Sequence, residues 1–214
     1  DPRVSGEMLD AAIAAGLASR GVDVVRVGVL PTPAIAFLTD DYGADLGVMI
    51  SASHNPMPDN GIKFFTQDGL KLSDEIELEI EEALQKPLSF VPSAQFGRAK
   101  RIEGSAERYI EFCKSTFPSH LDLYGLKIVV DTANGAGYHV APSVFHELGA
   151  QVISIGNEPT GFNINDKVGA TDIHTLQLSV LQNKADYGVA IDGDGDRVVL
   201  VDRQGTIYNG DALI

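Results

Sequence analysis

Tyr187-Gly-Val-Ala-Ile191 runs without a break into Asp192-Gly-Asp194-Gly-Asp196-Arg197, and the passage from apolar segment to acidic loop decides the fold class. A short apolar run ending in a glycine-broken loop reads as a strand of an α/β protein, and such proteins place their chemistry in loops at strand carboxyl ends. Three carboxylates within five residues repel one another unless a cation neutralises them. Oxygen-only ligands select a hard ion, and a trio that leaves room for a phosphate oxygen suits Mg²⁺. An EF-hand also spaces its ligands at positions 1, 3 and 5, but its position-6 glycine is replaced here by Arg197 and its position-12 glutamate by Arg203. A plain solvated turn would need neither two glycines nor the arginine.

A second junction has the same form. Leu46-Gly-Val-Met-Ile50 is continuously apolar, as expected of a central strand covered on both faces. It delivers the chain into Ser51-Ala-Ser53-His54-Asn55-Pro56, and Asp59-Asn60-Gly61 then turns into a strand over 61–65 that carries Lys63. The loop lacks the Gly-x-Ser-x-Gly elbow of hydrolases, which argues against acyl transfer. A serine beside a metal can carry a phosphoryl group; a loop merely capped by Ser and Asn is the plainer alternative. On their own, His54 reads as structural and Lys63 as a solvated strand residue.

Working outward, helical spacing of Met8, Leu9, Ala12, Ile13 and Leu17 predicts a helix over 5–20, with Ser5 as N-cap and Gly21 as stop. Residues 22–30 are β-branched and read as a strand closed by Pro31 and Pro33. A short helix is expected over 34–40 and an acidic, solvated helix over 73–84. Residues 86–104 read as a connector, and 107–117 as a helix. The pattern then restarts: strand 126–131, helix 138–148, strand 151–155, helix 171–183, and strands 187–191 and 198–201. The economical fold is two consecutive α/β domains, 1–104 and 105–214, with mixed, mainly parallel sheets covered by helices. Both ends read as cut, as if a strand preceded Asp1 and a helix began near Asn209.

The composition, 44% hydrophobic and 21% charged, is that of a globular protein. No run approaches the ~20 apolar residues that would cross a bilayer, and no signal peptide is visible. A net charge of −14 disfavours nucleic acid, which is bound through dense Lys and Arg. It also requires any phosphate site to be locally positive. The single cysteine, Cys113, allows no internal disulfide, fits a reducing cytoplasm and reads as a buried apolar residue. Gly135-Ala-Gly137 follows a strand, but Val140 stands where a dinucleotide fingerprint needs a third glycine, so it reads as a tight strand-to-helix turn. His139, His146 and His174 lack paired metal spacing and read as structural.

Five stretches together resemble the α-D-phosphohexomutase family: Asp1-Pro-Arg-Val-Ser-Gly-Glu7, Ile50-Ser-Ala-Ser-His-Asn-Pro56, Asp59-Asn-Gly-Ile-Lys-Phe-Phe65, Asn163-Ile-Asn165 and Asp192-Gly-Asp-Gly-Asp-Arg197. Ser51 favours the branch acting on glucosamine phosphate over those acting on mannose or glucose phosphate. The resemblance implies a longer enzyme of four domains, of which this chain is most of the first two. It implies that Ser53 is phosphorylated, that Asp192, Asp194 and Asp196 with Ser53 hold one Mg²⁺, and that Lys63 assists proton transfer as a base made acidic by the cation. It further implies that His54, Arg3, Asn55 and Arg197 line the phosphate site. The reaction implied is interconversion of glucosamine 6-phosphate and glucosamine 1-phosphate, with a sugar bisphosphate as intermediate and activator. A hexosamine phosphate would be the partner, with neither nucleic acid nor membrane, in a cytoplasmic enzyme that is allowed to form a homodimer. The loops that choose the sugar are missing, so the chain alone is expected to turn over negligibly. A phosphatase and a non-catalytic metal-binding module are the rival readings.

Overall fold

The computed structural model describes residues 1–212. Helix α1, Val4–Ser19, ends at Gly21, whose φ of 86° is the left-handed stop expected there. Strand β1 spans only Val24–Arg26, shorter than the expected 22–30. The N–H of Val22 still bonds back to Leu17 of the helix, and Gly28 takes a φ of 84°, which breaks the strand beyond Arg26. Helix α2, Thr32–Asp41, carries a proline in its first turn and buries Thr32, Ala34, Ile35, Leu38 and Thr39.

Strand β2, Leu46–Ile50, pairs antiparallel with β3, Ile62–Thr66. It alternates buried and partly exposed residues, so the expectation of a strand covered on both faces is corrected. The glycine at 47 is what admits α2: a Cβ there would meet Thr39 Oγ1 at 2.1 Å. Helix α3, Asp74–Ala83, is acidic as expected and buries no residue. The presumed connector contains a strand, β4, Ala99–Arg101, which pairs parallel with β1. Its three residues are all exposed and so carry no alternation for a periodicity argument to detect.

Helix α4, Ser105–Ser115, precedes a five-stranded sheet ordered β6-β5-β7-β8-β9. Its strands are β5 Lys127–Asp131, β6 Gln151–Ile155, β7 Tyr187–Ile191, β8 Val198–Asp202 and β9 Ile207–Tyr208. Helices α5, Val140–Glu147, and α6, His174–Asn183, complete this unit. β6, β5 and β7 are parallel, while β7, β8 and β9 run antiparallel. Across the described strands three pairings are parallel and three antiparallel. The sheets are mixed, and parallel pairing does not predominate. Of the helix expected from Asn209, Gly210–Ala212 form one 3₁₀ turn; residues 213–214 lie outside the described residues.

The sheet has apolar residues on both faces. Val129, Leu176, Val180, Ala185, Ala190 and Val201 cluster under α6, and Ile128, Val130, Ala150 and Val189 fill the other side. A third cluster joins Leu30, Ala34, Ile35, Leu38, Met49 and Phe65 to Ile110, Ala136 and Val140. This shared core, with Tyr42 Oη 3.1 Å from Ser105 Oγ, packs α2, β2 and β3 against α4 and α5.

Candidate active site

The serine loop is shaped from inside. Ser51, 2% exposed, accepts the Ser53 N–H on its hydroxyl at 2.9 Å and donates that hydroxyl to Asp1 Oδ2. Ser53 is thereby turned into the left-handed region, with φ 51°, which costs a non-glycine residue about 1 kcal/mol. The side chain of Arg3, 0% exposed, holds the turn. Its Nε donates to Asp1 Oδ2 at 3.0 Å, Nη1 to the Pro56 carbonyl at 2.6 Å, and Nη2 to the carbonyls of Ser53 and Asn55, both at 3.0 Å. The expectation that Arg3 lines a phosphate is corrected: its donors are turned inward and its charge is paired with Asp1.

The acidic loop meets this turn from the other unit. The Ser53 hydroxyl donates to Asp192 Oδ2 at 2.7 Å. Asp192 and Asp194 are fully buried and Asp196 is exposed. Backbone N–H groups of Asp196 and Arg197 donate to Asp192 Oδ1 at 3.2 and 3.1 Å. Asp194 Oδ2 accepts from Thr32 Oγ1 at 2.5 Å and from Lys63 Nζ at 2.6 Å, and Lys63 reaches Asp196 at 3.4 Å. Thr32 also donates its N–H to the Asp194 carbonyl at 2.8 Å.

Burial pushes the Asp192 carboxyl up, reinforced by its two acidic neighbours. Burial would do the same to Asp194, but hydrogen bonds from Lys63 and Thr32 outweigh it and hold that carboxyl below its ordinary value. For Lys63 burial works against the charge, yet the bonds to Asp194 and Asp196 prevail and raise its pKa. The two carboxylates thus favour the ammonium form of Lys63.

The trio fits a hard divalent ion. Carboxylate oxygens of Asp192, Asp194 and Asp196 lie within 4.8 Å of one another, against the ~4.2 Å that separates opposite ligands around Mg²⁺. Asp194 Oδ1 is buried without a hydrogen-bond partner, an acceptor that a protein normally satisfies. No hydrogen bond or ion pair ties the His54 ring or the Arg197 guanidinium to the trio among the described residues; both residues are exposed. The Asn55 amide turns to Asp59 at 3.1 Å.

Thr32 escapes a reading of the sequence, and Asn165, though it lies in a stretch that carries the family resemblance, is given no role by it. Thr32 sits between Pro31 and Pro33, and the prolines draw attention away from a hydroxyl at the carboxyl side of β1. Asn165 donates its amide to the carbonyls of Ser53 and Asn55 at 2.9 and 3.2 Å, a long-range contact without local periodicity. Gly135 and Gly137 do form the expected tight turn, and they back the acidic loop. A Cβ at 135 would meet the Gly193 carbonyl at 2.3 Å, and one at 137 the Ile191 Cδ1 at 2.4 Å. Cys113 is half-buried, and burial pushes its thiol up despite a bond with Tyr109, which suits an inert side chain.

Two models of one family, described as phosphoglucomutase/phosphomannomutase alpha/beta/alpha domain I and domain II, match residues 1–89 and 107–205. The chain belongs to the phosphoglucomutase/phosphomannomutase family. The likeness drawn from the serine and acidic loops is borne out at that level. Over all 214 residues it is 64% identical to a phosphoglucosamine mutase of Neisseria subflava and 61% identical to one of Chromobacterium violaceum, spanning 48% of each. It thus spans about half the length of these curated relatives. Among solved structures, a phosphoglucomutase/phosphomannomutase family protein from Burkholderia thailandensis superposes with a TM-score of 0.79 at 27% identity, covering 96% of this chain and 45% of that one. A putative phosphomannomutase from Thermus thermophilus gives 0.78 at 26%, covering 98% and 48%. No described helix is long and apolar enough to cross a membrane.

Proposed function

We propose that this chain is the phosphoserine- and magnesium-bearing part of a phosphoglucosamine mutase, an isomerase that moves a phosphoryl group between the 6- and 1-positions of glucosamine. The observation that carries the proposal is Ser53 Oγ at 2.7 Å from Asp192 Oδ2, a nucleophile from one α/β unit placed against a metal-competent trio from the other. The high identity to phosphoglucosamine mutases over the whole chain supports glucosamine over mannose or glucose. Division into units 1–104 and 105–214 is part of the same proposal, as is a cytoplasmic location.

Asp192, Asp194 and Asp196, with the Ser53 oxygen, would hold one Mg²⁺, which when bound offsets negative charge on the transferring phosphoryl group. Ser53 carries the phosphoryl group and presents it to a sugar hydroxyl. The bond from phosphorus to the Ser53 oxygen breaks as the bond to the sugar oxygen forms, and the hydroxyl proton lost by the sugar is balanced by the one the Ser53 oxygen regains. A bisphosphate is the product of the first transfer, and Ser53 recovers a phosphoryl group from its other position. Lys63 supplies positive charge and a proton at Nζ, held in place by Asp194 and Asp196. That ammonium also gives an anionic protein a local attraction for phosphate. His54 and Arg197, exposed beside the two loops, are placed to meet a phosphate, whereas Asn55 supports the loop through its carbonyl.

The test is a panel of sugar phosphates on the full-length enzyme primed with glucosamine 1,6-bisphosphate, with intact-mass analysis of the protein. Expected are a phosphoryl group retained on Ser53 and turnover of glucosamine phosphate ahead of the mannose and glucose analogues. Loss of the phosphoryl group to water would indicate a phosphatase. Metal binding with neither phosphorylation nor turnover would indicate a non-catalytic module.

A further inference from the structure

We infer that Asn165 is a positioning residue for Ser53: its amide latches the serine loop of the first unit to the sheet that carries the acidic loop, and so sets where the Ser53 hydroxyl points. The inference rests on the proposed phosphoserine role of Ser53. Two carbonyls of the serine loop each receive two donors, one from either unit. Ser53 O takes Arg3 Nη2 at 3.0 Å and Asn165 Nδ2 at 2.9 Å; Asn55 O takes the same pair at 3.0 and 3.2 Å. Arg3 belongs to the serine loop's own unit and cannot register it against the acidic loop. Asn165 can.

The latch has a rigid base. The Asn165 N–H donates to the Ala133 carbonyl at 2.8 Å, two residues beyond β5. Asn165 adopts a left-handed φ of 58°, a conformation that asparagine tolerates better than most side chains. Its Oδ1 is buried and unpartnered, so the donating end alone fixes the orientation of the amide. Room for it comes from the glycine between the first two aspartates: a Cβ on Gly193 would meet Asn165 Nδ2 and the Ser53 carbonyl, both at 2.7 Å. The amide is thus wedged between the nucleophile's backbone and the acidic loop.

Its chemistry separates it from the other ties across the site. Thr32 and Lys63 both bind the Asp194 carboxylate, one of the three groups proposed to hold the cation. The Asn165 amide is neutral and bonds only backbone carbonyls. It therefore holds the Ser53 turn in register whether the trio carries a cation or Ser53 carries a phosphoryl group.

The test uses the full-length enzyme, its Asn165→Ala and Asn165→Asp variants, and glucosamine 1,6-bisphosphate as donor in rapid-quench phosphorylation of Ser53. A displacement of about 1 Å at a reacting atom costs up to ~100-fold, so Asn165→Ala should phosphorylate 10- to 100-fold more slowly, with KM for the sugar phosphate within about threefold of the wild type. Asn165→Asp keeps the shape and repels the carbonyls when ionised. Its rate relative to wild type should recover as the pH is lowered through the carboxylate range, where a protonated acid again donates. Phosphorylation of Asn165→Ala at the wild-type rate overturns the inference. So does a rate for Asn165→Asp that keeps a constant ratio to wild type at every pH, because a merely structural residue has no reason to follow that titration. A wild-type enzyme that takes no phosphoryl group on Ser53 defeats the phosphoserine reading itself, and the latch with it.

Discussion

The Ser53 hydroxyl and the Asp192 carboxylate meet at 2.7 Å although 139 positions separate them in the chain. Each sits just beyond the carboxyl end of a strand, β2 and β7, and a shared apolar core packs β2 against α4 and α5 of the second unit. Ser53→Ala removes the hydroxyl that donates to Asp192 and is proposed to carry the phosphoryl group. In the full-length enzyme it should abolish incorporation of phosphate from glucosamine 1,6-bisphosphate and lower turnover by at least ~1,000-fold, on the scale of losing a catalytic nucleophile. Intact-mass analysis with a steady-state assay checks both. Undiminished turnover in the variant would remove Ser53 from the chemistry.

Asp194 makes the metal assignment testable. One of its oxygens is taken by Thr32 and Lys63, and the other is buried without a partner. Asp194→Asn keeps the shape and removes one negative charge from the trio. Mg²⁺ affinity should fall about 10-fold or more, the scale at which altering a metal's coordination is felt, while a Thr32→Val variant should lose less because Lys63 remains. Titration calorimetry of the two variants against wild type decides the point, and equal affinities would leave the trio without a ligand role.

Arg3 is the residue whose reading changes most. Its guanidinium is buried against Asp1 and three carbonyls, and lysine cannot reproduce a planar fork of donors. Arg3→Ala should destabilise the protein by ~3–5 kcal/mol, the cost of breaking a buried ion pair and leaving its partners unmet. Arg3→Lys should recover only part of this. Urea unfolding measures the loss; a variant of native stability with a raised KM for sugar phosphate would instead restore Arg3 as a phosphate ligand.

What the sequence makes legible here is chemistry with a local signature. Asp192, Asp194 and Asp196 announce a cation because like charges so close demand one, and Ser53 gains meaning from its place after an apolar strand. Helix periods and glycine stops locate α1, α2 and the second unit's elements to within a few residues. β4 is invisible because three exposed residues that pair with β1 through backbone alone have no side-chain pattern. Thr32 is invisible, and Asn165 is legible only as part of a stretch of family likeness and without a role, for a related reason: each acts through a partner more than a hundred residues away. Lys63 is visible as a residue but not as a charge state, which its two carboxylate neighbours decide only once the chain has folded.

Asp131 offers a prediction in which pH is the variable. The residue ends β5, is fully buried, and accepts N–H bonds from Ala133 at 3.0 Å and Gly169 at 2.8 Å. Burial pushes its carboxyl above the ordinary value, and those two bonds only partly oppose the shift. A carboxyl raised in the folded state binds its proton more tightly there than in the unfolded chain. Its contribution to stability is therefore complete below the ordinary carboxylate pKa and declines as pH rises through the raised one. Asp131→Asn cannot titrate and should lack this component. It should also cost about 1–3 kcal/mol, because its amide can accept from only one of the two N–H donors and leaves the other unpaired. Urea midpoints for both proteins across the acid range should show the wild-type advantage shrinking as pH rises through the carboxylate region. Parallel pH profiles would show that Asp131 ionises as freely in the folded protein as in the unfolded chain.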